Sequence, residues 1–145
     1  MVKVIKTYYF FVFVFFCSFT LFESKIKCKT EVKVFGVDWY SHLFRPIKEN
    51  EIFNVEYKLS NIKTDVDFEL IINEIRNLEK AKDKTDDVRL AFILRKDTFL
   101  FAKNGVVKFR NQYYANGYCV ANRIYEKFDS KIHKKYFPFL VSCNK

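Results

Sequence analysis

Glycine is scarce in this chain. Gly36, Gly105 and Gly117 are its 3 glycines and stand far apart, so there is no glycine-rich loop to cradle a phosphate, and each reads as a bulge or turn residue. Proline is scarcer still, with 2 in the chain. Pro46 disfavours helix at Arg45 and marks a loop there. The only histidines are His42 and His133. No cysteine or histidine pair has the close spacing that preorganises a zinc site, so no metal and no other cofactor is expected. Internal repeats and interior linkers are also missing, and the only biased tract is the first 22 residues.

What the chain does have is apolar and basic. Half of its 145 residues are hydrophobic and 19% are aromatic, enough apolar area to offset chain entropy and exclude wholesale disorder. The length suits one domain with one core. The net charge of +9 favours anionic partners: an acidic protein face, nucleic acid or phospholipid head groups.

Lys3 and Lys6 precede a stretch from Tyr8 to Phe22 that carries no charge. This is the pattern of an export signal, and the stretch is short for a membrane span. Residues 1–23 are therefore expected to be a signal peptide cleaved between about Ser18 and Ser24, with an uncleaved N-terminal anchor as the alternative. Residues 24–145 then form a single α+β domain, exported to a periplasmic or secreted location. In an oxidising compartment Cys28, Cys119 and Cys143 allow one disulfide with one thiol left over. Cys119 with Cys143 is the expected pair, because it ties down the C-terminal segment.

Along the domain, Thr30 to Tyr40 alternates as a strand, and Asp38 to Asn50 is a loop. Glu51 to Ser60 alternates again, with Phe53, Val55, Tyr57 and Leu59 on the apolar face. Asp65, Asp67 and Glu69 favour a helix start, and Phe68, Ile71, Ile72, Ile75 and Leu78 follow at helical spacing, predicting one long amphipathic helix over Val66 to Lys82. Arg89 to Leu94 is a further strand. Two more converge on Asn104-Gly105, a pair suited to a type I′ hairpin turn with positive φ at both residues. After Asn116-Gly117, Tyr118, Ala121, Ile124, Tyr125 and Phe128 predict a short helical C-terminal segment. The expected fold is α+β: a single antiparallel β-sheet of about five strands, in the order β-β-α-β-β-β, with the long amphipathic helix packed on one face.

Two clusters hold more anchor-type side chains than one helix against one sheet needs to bury. Trp39, Tyr40, His42, Phe44 and Arg45 lie together in the loop from Asp38, and Arg110, Tyr113 and Tyr114 follow the hairpin. Such residues dominate macromolecular interfaces. The expected function is that of a small exported, non-enzymatic binding protein, of the inhibitor or immunity-protein type, acting on a protein partner. The alternatives are a secreted ribonuclease-like hydrolase using His42 and His133, which would need both rings at one phosphate, and an envelope component held at the membrane by an uncleaved N-terminal segment. No small-molecule substrate is evident.

Overall fold

A computed structural model describes residues 29–128 and 132–139. The signal or anchor expected at residues 1–23 lies outside them. Among the described residues no helix is long and apolar enough to cross a membrane.

Six strands form one sheet: β1 (Thr30–Gly36), β2 (Lys58–Thr64), β3 (Val88–Leu94), β4 (Asp97–Ala102), β5 (Val107–Phe109) and β6 (Gln112–Tyr114). Their order is β2-β1-β3-β4-β5-β6, and every neighbouring pair is antiparallel. Among the described residues two α-helices accompany the sheet, α1 (Phe68–Arg76) and α2 (Tyr118–Phe128). The architecture is thus α+β on a single antiparallel sheet, with one strand more than expected, the expected long helix cut to Phe68–Arg76, and a C-terminal helix over Tyr118–Phe128.

The single long helix stops early for a backbone reason. Asp67 caps α1 by accepting the Glu69 N–H at 3.1 Å, and the segment after Asn77 turns to cover the edge of β6. There Ala81 donates to Tyr113 O at 2.9 Å and Ala115 donates to Glu79 O at 2.8 Å. Residues that answer β6 in this way cannot keep their helical bonds. The covered edge is also protected from pairing with another chain.

The predicted strand at Glu51 to Ser60 is corrected. Glu51–Phe53 and Val55–Tyr57 are 3-10 turns, and β2 starts only at Lys58. Asn54 N–H bonds Glu51 O and Tyr57 N–H bonds Asn54 O, each at 3.0 Å. The segment lies beside the sheet rather than in it, so it closes its own hydrogen bonds. Ile52 is fully buried while Val55 is 87% exposed, the reverse of what the period of two implies.

The Asn104-Gly105 turn is not type I′, because only Gly105 has positive φ, at 80°. Gly105 N–H bonds Ala102 O and Ala102 N–H bonds Val106 O, each at 3.0 Å, the pattern of a three-residue loop ending on a left-handed glycine. The hairpin with positive φ at both turn residues is the next one, β5 to β6, through Arg110 (48°) and Asn111 (62°). That turn creates the sixth strand.

Both faces of the sheet are covered. On one, Phe68, Ile71, Ile72 and Ile75 of α1 and Val120, Ala121, Ile124 and Phe128 of α2 pack with Val32, Val34, Leu90, Phe92, Phe99, Phe101, Val107 and Phe109. Each such large side chain contributes about 1.5–3 kcal/mol on burial. On the other, Ile47 and Ile52, from the segment between β1 and β2, pack with Phe35, Val88, Ala91 and Leu100. The long β1–β2 connection is therefore also a layer of the structure.

Candidate functional site

The connection between β1 and β2 begins with a clamp. Arg89 on β3 is 1% exposed and Asp87 8%, and the two form a buried ion pair, Arg89 Nε donating to Asp87 Oδ2 at 2.8 Å. Arg89 Nη1 reaches on to Asp38 O and Ser41 O at 3.1 Å and to Ser41 Oγ at 3.0 Å. The other Asp87 oxygen accepts the Ile47 N–H at 3.0 Å. One charged pair thus grips both ends of residues 38–47. A buried charge persists only when paired and hydrogen-bonded, and here the loop backbone supplies the bonds.

Further contacts fix the loop. Trp39 N–H donates to Lys135 O at 2.8 Å, Tyr40 N–H to Asp38 Oδ1 at 3.0 Å, and Ser41 Oγ to Asp38 O at 2.8 Å. Arg45 forks onto Glu51 at 3.0 and 2.8 Å, and that carboxylate also accepts the Lys48 N–H at 3.0 Å. Between these ties the side chains turn outward: Tyr40 is 45% exposed, Leu43 37% and Phe44 107%. His42 and Arg45 are exposed as well.

Trp39 departs from its expected place. It is 4% exposed and packs edge-on against Tyr118 at 6.2 Å between ring centroids, so it is a core residue that anchors the loop and offers no surface to a partner. A large indole beside the sheet removes more apolar area from water than a neighbouring tyrosine does, and it takes the inner position.

The second predicted cluster splits in three. Tyr114 is buried in the helix-side core. Arg110 is exposed, but its fork is occupied by Asp97 at 2.7 and 2.9 Å. Tyr113 is half-buried and donates its hydroxyl to Glu49 Oε1 at 3.1 Å.

Glu49 also receives Lys108 Nζ at 2.5 Å and the Thr85 hydroxyl. It joins the β1–β2 connection to the segment before β3, to β5 and to β6. Next to it lies a cleft of about 460 Å³ lined by residues that include Phe53, Leu100, Lys96 and Asp97. Burial pushes the Glu49 carboxyl up, but the hydrogen bonds from Lys108, Thr85 and Tyr113 outweigh it and hold it below its ordinary value. The bond to Glu49 raises Lys108. Both partners are charged near neutral pH, and neither is tuned to exchange a proton there.

Because the folded Glu49 value lies below the unfolded one, the unfolded chain binds more protons in the interval between them. The stability from this carboxylate is full above the ordinary carboxylate range and is lost as pH falls through the folded value. Asp97, held down by Arg110, and Glu51, held down by Arg45, act in the same direction. Urea denaturation across the acid range is expected to show stability falling with pH, with a shallower fall in Glu49→Gln. An unchanged slope in the variant would show that Glu49 is not tied down as described.

His42 and His133 sit on segments joined by the Trp39–Lys135 bond, and both are exposed. His133 Nδ1 accepts the Lys135 N–H at 3.2 Å, capping the 3-10 turn Lys134–Tyr136. Cys119, in the first turn of α2, is disulfide-bonded. Cys28 and Cys143 lie outside the described residues, and with them the expected Cys119–Cys143 pairing. No group of three or more metal-binding side chains occurs among the described residues.

Sequence reasoning missed the Arg89–Asp87 clamp and the role of Lys134, Lys135 and Phe139. Together with Tyr40 these three line a groove of about 380 Å³ beside the loop. The clamp had a signal: an arginine between Val88 and Leu90 in an otherwise apolar strand is seldom buried without a partner. The groove had none, since its walls come from opposite ends of the chain. Compared with known proteins, the chain matches no family model, no curated protein and no solved structure.

Proposed function

We propose that this is a small exported, non-enzymatic binding protein, of the inhibitor or immunity type, that docks on a protein partner through the tip from Tyr40 to Arg45. The observation that carries this is the contrast within one short segment. Its backbone is tied at Asp38, Ser41 and Ile47 to the buried Arg89–Asp87 pair and at Trp39 to Lys135 O, while Phe44 stands fully in solvent. An apolar side chain held out in this way costs solvation in the free protein. The same rigidity spares the entropy of ordering a loop on binding, which is how preorganised inhibitor loops gain affinity. In this reading residues 1–23 direct export and are removed, and the Cys119–Cys143 bridge holds the C-terminal segment whose lysines flank the tip.

Phe44→Ser tests the assignment. The side chain supports nothing in the fold, so unfolding free energy is expected to stay within about 0.5 kcal/mol of the parent. Affinity for a partner recovered by crosslinking to the full chain is expected to fall by about 2 kcal/mol or more, the scale of an interface anchor. Calorimetry on the purified pair decides: equal affinities for parent and variant remove the tip as the contact element.

A further inference from the structure

Beside the tip, the groove lined by Tyr40, Lys134, Lys135 and Phe139 exposes only apolar surface. Lys134 Nζ stands 4.4 Å from the centre of the Phe139 ring, and Lys135 Nζ 5.2 Å from that of Tyr136. Stems and rings thus make the walls while the ammonium groups stand at the rim. The carboxylates nearest in sequence to the tip are already engaged. Asp38 Oδ1 takes the Tyr40 N–H, Glu49 is paired with Lys108, and Glu51 with Arg45. Among the described residues neither Lys134 nor Lys135 has a carboxylate partner. The face therefore presents a projecting phenylalanine, an adjoining apolar concavity and two cations that have no carboxylate partner among the described residues.

We infer that the partner is a protein whose docking face is acidic and projects an apolar side chain into the groove between Tyr40 and Phe139. This rests on the tip being the contact element, and it adds the partner's chemistry. The lysines set the sign, since an interface gains rate and specificity when potentials are opposite and is penalised when like charges meet. The concavity sets the class. A bilayer surface offers a flat, fluid boundary that receives Phe44 but leaves the groove unfilled, whereas a folded partner can match a knob and a hole side by side.

The test pans a displayed library of short random peptides on the full chain. Its competitor arms are phosphatidylcholine vesicles containing a minority of phosphatidylglycerol, and polyuridylate. The peptides retained are expected to be acidic with at least one large apolar residue, and to weaken as salt is raised. They are expected to bind Lys134→Glu/Lys135→Glu about tenfold or more weakly, and Phe44→Ser more weakly as well, with circular dichroism showing both variants folded. Peptides without acidic bias, or ones that bind the double variant undiminished, overturn the inference. So does preferential binding of vesicles or polyuridylate that the double variant loses. If Phe44→Ser abolishes peptide binding while the lysine variant binds like the parent, docking by the tip stands and the acidic partner falls. If neither variant changes binding, both fall.

Discussion

Alanine at position 89 is expected to cost about 3–5 kcal/mol of unfolding free energy, the scale on which breaking one side of a buried ion pair is felt. Arg89 is among the largest fully buried side chains. Its removal leaves the Asp87 carboxylate in the interior without its cation, and leaves Asp38 O and Ser41 O without the guanidinium donor. Asp87 keeps its bond from Ile47 N–H, which does not neutralise it. Urea denaturation measures the loss. The double variant Arg89→Met/Asp87→Leu is expected to recover part of it, because apolar groups of similar size need no partner. Hydrogen exchange at Ser41 should nevertheless remain faster than in the parent, since nothing then ties the Asp38 and Ser41 carbonyls to β3. A single-variant loss below about 1 kcal/mol would show that the clamp is not as buried or as fully bonded as described.

Gly105→Val is the second large effect, expected at about 3–5 kcal/mol from two sources that add. The backbone there has φ of 80°, a region that costs a β-branched residue about 1–3 kcal/mol. A Cβ at that position would also fall 2.5 Å from Tyr118 Cε2 and 2.7 Å from Cζ. The ring cannot swing aside freely, because its hydroxyl donates to Lys103 O at 2.7 Å and its face meets Trp39. Overpacking of this kind costs about 1–3 kcal/mol more. In a Tyr118→Ala background only the backbone part should remain, so a cycle of the four proteins separates the two. Additive losses would mean that Gly105 and Tyr118 are not in contact. The same crowding involves Gly117, whose N–H bonds Gly105 O at 2.7 Å, so the start of α2 rests directly on the β4–β5 turn.

How much of this was legible in the sequence depended on whether a residue's neighbours in space are also its neighbours in sequence. The apolar run from Arg89 to Leu94 and the runs on either side of Asn104-Gly105 announce strands, and strands are there. The loop Asp38 to Arg45 reads as a concentration of anchor-type residues, and Tyr40, His42, Phe44 and Arg45 are exposed. Trp39 could not be separated from them, because its burial is decided by Tyr118 and Lys135, far along the chain. Turn identity was misread where propensity and context disagree. Asn104-Gly105 fits a two-residue turn by composition, yet the chain spends its paired positive φ at Arg110-Asn111, where the strands on either side demand it. Glu51 to Ser60 was misread for a related reason: a period of two describes which side chains are apolar, and says nothing about whether a strand edge is available to pair with.

The strand order has a bearing on how the chain reaches this state. Val34, in β1, pairs with Ser60 on one side and Phe92 on the other, whereas β3 to β6 are joined by short hairpins. Closing hairpins costs little chain entropy, and recruiting a distant strand costs more. During synthesis β1 is made well before β3, and Val32, Val34 and Phe35 wait without the rest of the sheet to join. The meander from β3 to β6 can assemble first, and β1 enters afterwards as the wedge that connects it to β2. The 38–47 segment comes within reach of Arg89 only when β1 lies beside β3, so the rigid tip depends on that long-range pairing.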